Sequence, residues 1–417
     1  MDKLVIEGGV PLQGEVRIAG AKNATLPLMA AALLAEGKTI VKNAPDLFDV
    51  LTMGRVIERL GADVQRHDHT MEIDATSLDN FEAPYELVKT MRASVYVLGA
   101  LLGRCGKARV SLPGGCAWGP RPIDIHLKGI QALGAEIDLD HGYIVADAPK
   151  LKGTRFFLDF PSVGATINIL LAAVKAEGET VLENVAREPE VTNLVRVLNK
   201  MGAKIEGEKT STLRITGVDG LNPVTCSVIP DRIEAGTYLA AAGLTAGDVL
   251  LLGAEPEHLT MVLAKAAEAG IKITVTTEGI RVESDGNLRS VDVETAIYPG
   301  FATDMQAQWI TLMTGAHGVS LITDIIYPDR FTHVPELMRL GARISMKDNV
   351  ARVHGPSQLR GAQVMSTDLR ASASLVIAAL AASGRTDISR IYHLDRGYER
   401  LEEKFSQLGA RIKREHE

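Results

Sequence analysis

The chain has 417 residues, 46% of them hydrophobic, and its 45 Lys and Arg against 52 Asp and Glu leave a formal charge of −7. That length suits two or three domains with sizeable cores, and the negative balance argues against nucleic acid as the main partner, because phosphate backbones select a basic face. Cys105, Cys116 and Cys226 are too irregularly spaced for a disulfide framework or a CxxC metal knuckle, and no apolar run is longer than Leu28 to Ala35, which is far short of the ~18 residues of a membrane helix.

The start, MDKLVIEGG, has no signal-peptide core, so a reducing cytoplasm is the expected setting. In chain order, two phrases then alternate. The first is an Ala/Leu-rich helix that ends in glycine and runs into a β-branched strand, as in LPLMAAALLAEGKTIV. The second is an amphipathic helix, a Leu-Gly-Ala-like turn and a strand, as in VIERLGADV. The first recurs at VYVLGALLGRCGKARV, INILLAAVKAEGETVL, TYLAAAGLTAGDVLLL, QWITLMTGAHGVSLIT and LVIAALAASGRTDI. The second recurs at GIQALGAEI, VLNKMGAKI, AKAAEAGIKI, LMRLGARI and KFSQLGARI.

The glycines of the first series are Gly37, Gly106, Gly178, Gly247, Gly318 and Gly384. Those of the second are Gly61, Gly134, Gly202, Gly270, Gly341 and Gly409. Neighbours within a series lie 66 to 73 residues apart, so the chain reads as six copies of a unit of about 70 residues. A helix that is apolar all round must be buried. Short alternating strands such as ARVHG suit half-exposed sheets. The expected architecture is α/β, with helices inside, sheets outside, and two globules of three repeats each.

Counting back from the terminal glycines aligns the helix starts. Lys22, Arg92, Gly164, Glu234, Asp304 and Arg370 stand at or near the starts of the apolar helices, with Asp368 just before Arg370. Arg121, Arg187, Arg330 and Arg396 stand near the starts of amphipathic ones. Cations there oppose the helix dipole. One such arginine is ordinarily a solvated surface residue, and Asp304 or Asp368 alone reads as a helix cap. A series of cations at equivalent starts instead predicts a site for a highly anionic small molecule between two domains.

The segment LPGGCAWGPRPIDIH is too rich in glycine and proline for helix or strand. Cys116 within it, with Arg121 close by, is a candidate nucleophile or proton donor. Cys105 and Cys226, in apolar or strand-like surroundings, read as inert thiols. His67-Asp68-His69 lacks a third ligand and reads as a surface turn. No P-loop, GxGxxG, HExxH or GxSxG motif occurs.

Together these residues resemble a known family. The Lys22-Asn23 pair, MRAS around Arg92, PGGC with RPID, SVGAT at 162–166, TDMQAQ at 303–308, DRF at 329–331, DLR at 368–370 and Arg396 are similar to those of the UDP-N-acetylglucosamine enolpyruvyl transferases. The likeness runs from Lys3 to Leu408. It implies two inside-out, barrel-like α/β globules of three repeats, one at 22–229 and one at 1–21 with 230–417, and an active site in the cleft between them. It implies transfer of the enolpyruvyl group of phosphoenolpyruvate to the 3-hydroxyl of UDP-N-acetylglucosamine with release of phosphate, the first committed step of peptidoglycan synthesis.

The resemblance also assigns roles. Lys22, Arg121 and Arg396 would hold the phosphate, and Arg370 with Arg396 the carboxylate. Cys116 would be the proton donor and Asp304 the base. Asn23, Arg92, Arg121, Pro122, Ile123, Asp124, Ile125, Ser162, Val163, Gly164, Asp304, Ile326, Arg330 and Asp368 complete the expected binding set, with Asp124 at the uracil. A fosfomycin-type epoxide is expected to alkylate Cys116. No metal, cofactor, nucleic acid or membrane is expected. A shikimate 3-phosphate enolpyruvyl transferase and a non-catalytic nucleotide-sugar-binding paralogue are the alternatives.

Overall fold

In the computed structural model of the chain, which describes residues 2–112 and 123–416, all six glycines of the amphipathic series have positive φ, between 89° and 107°. Each helix thus ends in a left-handed step that a residue without Cβ takes at no steric cost. In the other series Gly37, Gly106, Gly178, Gly318 and Gly384 also have positive φ, although only Gly106 caps its helix and the others stand where the next strand begins. Gly247 does not have positive φ. There the left-handed step comes one residue earlier, at Ala246 with φ 54°. Gly247 is small for another reason, since a methyl group on it would lie 2.6 Å from the carbonyl oxygen of Leu12.

The chain divides into two units, Gly20–Ile229 and Met1–Ala19 with Pro230–Glu417. Gly20 and Ala21 fall with the former. Among the described residues the strands form six four-stranded sheets, three per unit, all built to one plan. An edge strand runs parallel to a second strand, and an antiparallel pair completes the sheet.

In the unit Gly20–Ile229 the apolar helices are Lys22–Ala32, Tyr96–Cys105 and Val163–Ala173. From Ala165 to Ala173 every residue of the last is buried. Each fully buried Leu or Ile stabilises by roughly 1.5–3 kcal/mol, so an all-round apolar helix settles in the interior. The sheets that cover these helices centre on Lys38–Lys42, Lys107–Ser111 and Glu179–Glu183. Buried residues alternate with more exposed ones in the first and last of these strands, and in the second as far as Val110, after which Ser111 is buried too. The last strand, Thr225–Ser227, returns to the first sheet and pairs with Lys38–Lys42, so the three repeats close on themselves.

Small residues set the spacing and direction of the helices. A methyl group on Gly99 would fall 2.0 Å from the carbonyl oxygen of Asn168, and one on Gly103 would fall 2.9 Å from that of Leu171 and 3.1 Å from the Leu34 side chain. One turn along one helix therefore matches one turn along its neighbour, and the three run parallel with their N-termini at one end.

The other unit repeats this plan with Arg232–Leu244, Gln306–Met313 and Ser372–Ala381. Gly236 meets Met305, and Gly243 meets Leu312, so these helices are also parallel. Its third sheet is closed by the amino terminus. Asp2–Glu7 lies antiparallel between Arg385–Ser389 and Arg411–His416.

Replacing Gly99 tests the close approach. Gly99→Ala gains up to about 1 kcal/mol of helix propensity but overpacks a backbone contact, which costs about 1–3 kcal/mol. A net loss is expected, read as a lower midpoint of thermal unfolding. An unchanged or raised midpoint would show that the helices have room to part.

Candidate active site

Most of the described residues singled out by sequence stand at or just before helix starts, whereas Ile326 follows the strand Gly318–Thr323 and Arg396 ends the 3₁₀ turn Ile391–Arg396. Cys116, Arg121 and Pro122 lie outside the described residues.

In the unit Gly20–Ile229, Lys22 is the first residue of its helix and is buried. Its Nζ lies 3.3 Å from Oδ2 of Asp49, also buried, in the first turn of the helix Phe48–Arg59. Asp49 is well placed against that helix's own dipole. Asn23 is half-buried beside Lys22. Arg92 opens the 3₁₀ turn Arg92–Val95 that leads into Tyr96–Cys105. Ser162 caps Val163–Ala173, its Oγ accepting the Ala165 N–H at 3.3 Å, and Val163 and Gly164 are the first residues of that helix. Ile123 is buried and precedes Asp124–Ala132, whose first residue, Asp124, is exposed, with Ile125 half-buried.

A buried histidine links these starts. His126 faces Gly164, where a methyl group would lie 3.1 Å from its Cε1 and Nε2. Asn168 donates from Nδ2 to its Nδ1 at 3.1 Å, while Oδ1 of Asn168 accepts the Gly99 N–H at 2.7 Å. Burial, reinforced by the charge of Arg92, lowers the His126 pKa to about 4. The imidazole is therefore neutral at pH 7, with Nδ1 as acceptor and the proton on Nε2.

In the other unit, Asp304 sits in the 3₁₀ turn Thr303–Met305 ahead of Gln306–Met313. Its carboxylate accepts from Arg330 Nη1 at 2.6 Å. Arg330 is buried, and its Nη2 lies 3.7 Å from Asp368. Burial pushes the Asp368 carboxyl up, but Arg330 and the N–H groups of Ala371 and Arg370 outweigh it and hold the pKa below the usual value. Asp368 accepts both N–H groups at 2.8 and 2.6 Å, so it caps the turn into Ser372–Ala381. Asp324, fully buried, gathers Thr295 and Thr303 hydroxyls and the N–H groups of Ile326 and Tyr327. This holds half-buried Ile326 in place. Arg370 is buried and bonds Asp231 and the carbonyl of Gly397, next to half-buried Arg396.

The helix starts are thus not bare positive ends. Lys22, Arg330 and Arg370 each face a buried carboxylate, which offsets the cost of holding a cation there. Arg330 is committed to Asp304 and Asp368. Sequence reading missed Asp49, His126, Asp231 and Asp324. Only Asp231 carries a local signal, since Asp-Arg-Ile-Glu at 231–234 has the spacing of a capping box. Its carboxylate does cap, accepting the Ile233 and Glu234 N–H groups at 2.8 and 3.1 Å. Glu234 instead bonds Lys404 and the Ala19 N–H, at 2.6 and 2.7 Å.

Residues 6–405 match the family described as EPSP synthase (3-phosphoshikimate 1-carboxyvinyltransferase). The chain is 54% identical over 414 residues to the UDP-N-acetylglucosamine 1-carboxyvinyltransferase of Desulfatibacillum aliphaticivorans, covering 99% of this chain and 100% of the relative. It is 54% identical over 418 residues to the enzyme of that name from Myxococcus xanthus, covering 100% of each. Among solved structures, the enolpyruvyl transferase NikO from Streptomyces tendae superposes with a TM-score of 0.89 at 30% identity, over 99% of this chain and 98% of that one. An EPSP synthase from Acinetobacter baumannii reaches 0.77 at 18% identity over 100% of both chains, a likeness of fold alone. The chain belongs to the enolpyruvyl transferase family, among the UDP-N-acetylglucosamine 1-carboxyvinyltransferases.

Proposed function

We propose that the protein transfers the enolpyruvyl group of phosphoenolpyruvate to the 3-hydroxyl of UDP-N-acetylglucosamine, releasing phosphate, and so commits the sugar to peptidoglycan synthesis. The observation that carries this reading is the 54% identity, over the whole chain, to relatives of that name. The helix-start cations support it. The donor has a phosphate and a carboxylate, and Lys22, Arg121 and Arg396 suit the first while Arg370 and Arg396 suit the second. The unpatterned cysteines and the nucleotide-sugar substrate support a cytoplasmic setting.

The reaction is an addition followed by an elimination. Asp304 takes the proton of the 3-hydroxyl as the oxygen bonds to C2 of the donor, and Cys116 gives a proton to C3, turning the methylene into a methyl. The Cys116 thiolate then takes back a proton from that methyl of the tetrahedral adduct, the double bond re-forms, and phosphate leaves with the C–O bonding pair. Arg330, bonded to Asp304 at 2.6 Å, holds its carboxylate in place, as a base must be held. Cations and helix ends stabilise the charge that develops on the transferring group. Cys116 can also add to C2 of phosphoenolpyruvate through its sulfur, giving a phospholactoyl adduct once C3 is protonated. Arg92, Pro122 to Ile125, Ser162 to Gly164 and Ile326 hold the nucleotide sugar, with Asp124 at the uracil.

The family match by itself would also admit shikimate 3-phosphate as acceptor. The EPSP synthase structures, however, share only 18% identity with this chain, against 54% for the nucleotide-sugar enzymes.

Phosphate release from phosphoenolpyruvate tests the reading. It is expected to require UDP-N-acetylglucosamine and to collapse in Cys116→Ser. Release that survives in the variant would keep the reaction and move Cys116 to adduct formation. Release dependent on shikimate 3-phosphate would overturn the choice of acceptor. For Asp304→Asn the expected loss is about 10²–10⁴-fold in kcat with KM little changed, the range of a lost general base. Full activity would remove Asp304 from the proton path. A fosfomycin-type epoxide should add one inhibitor mass to the wild type and none to Cys116→Ser, as read by intact-mass spectrometry.

A further inference from the structure

We propose that Asp231 is a positioning residue that fixes the guanidinium of Arg370 for the carboxylate of the three-carbon donor. The inference rests on the proposed function, which gives Arg370 that ligand, and it names a residue that function does not use.

The geometry is specific. Asp231 and Arg370 are 139 residues apart, both buried, and Nη2 donates to Asp231 Oδ2 at 2.7 Å. Arg370 Nη1 donates to the carbonyl of Gly397 at 2.8 Å. The guanidinium carbon lies 5.1 Å from the ring centre of Tyr398. The Tyr398 hydroxyl is itself held by Thr237 Oγ1 at 2.8 Å and Gln308 Nε2 at 3.1 Å. The flexible stem of an arginine is thus immobilised from three sides.

Asp231 is as firmly placed as the group it holds. Its Oδ1 accepts the Ile233 and Glu234 N–H groups at 2.8 and 3.1 Å, and its own N–H donates to Ala19 at 2.8 Å. One carboxylate oxygen therefore belongs to the backbone and the other to Arg370.

One feature points to a ligand rather than to stability alone. The Nε–H of Arg370 is buried and has no partner among the described residues. A buried donor left unsatisfied is costly, and a pair serving only stability would be expected to satisfy it. A ligand carboxylate supplies the missing acceptor. With Nη1 and Nη2 each anchored, the plane of the guanidinium is set before that carboxylate arrives.

Asp231→Asn removes the charge and keeps a cap as good as Asp at this position. Asp231→Ser does the same with a smaller side chain. Steady-state phosphate release is measured for wild type and both variants, varying each substrate in turn, alongside thermal unfolding. The expected result is a KM for phosphoenolpyruvate raised tenfold or more, a KM for UDP-N-acetylglucosamine within about threefold of wild type, and a folded protein. Unchanged KM values, a parallel rise in both, or two variants that fail to fold would each assign the pair to stability and overturn the positioning role. A wild type without sugar-dependent release would overturn the proposed function, and this inference with it. Normal wild-type release with no split in KM overturns this inference alone.

Discussion

Burying three apolar helices side by side in parallel is the constraint on which the rest depends. Parallel helices add their dipoles, so the N-termini of Lys22–Ala32, Tyr96–Cys105 and Val163–Ala173 share one end of their unit, and the other unit repeats the arrangement. Antiparallel neighbours would cancel. The unpaired N–H groups and partial positive charge at that end suit an anion. The fold thus creates an anion-binding end before any side chain is chosen.

The side chains then solve the problem this creates. Lys22, Arg330 and Arg370 add positive charge where the helices already supply it, and Asp49, Asp304, Asp368 and Asp231 compensate. Each cation is held in place by a carboxylate that is itself held, often by a helix N-terminus. Asp231 gives one oxygen to backbone N–H groups and the other to Arg370, whereas Asp368 turns the same Oδ1 to backbone N–H groups and to Arg330. Such partners fix orientation at little electrostatic gain.

Much of this was legible because the repeat is written in glycine. A left-handed step excludes most side chains, so it marks the same place in every copy, and of the twelve glycines Gly247 departs from the rule, through Ala246. The starts of the apolar helices followed by counting back. The partners did not. Asp49 lies 27 residues from Lys22, and Asp231 lies 139 from Arg370. No local pattern relates residues at such separations, and one sequence offers no covariation to replace it. His126 was hidden for a different reason. Its role comes from burial and from the acceptor set by Asn168, and neither shows in its neighbours along the chain. The resemblance gave Arg330 as a substrate ligand, and its ion pairs with Asp304 and Asp368 were likewise beyond local pattern.

The closure of the last sheet bears on the order in which the chain takes shape during synthesis. Every strand of Gly20–Ile229 has left the ribosome before the second half is made, and its ring of repeats can close at Thr225–Ser227. Asp2–Glu7 is made long before the strands it pairs with, Arg385–Ser389 and Arg411–His416. It must wait for both of them. Until they emerge the strand is an edge without its native partners, and the charges along it, Asp2, Lys3 and Glu7, guard it against pairing with another chain.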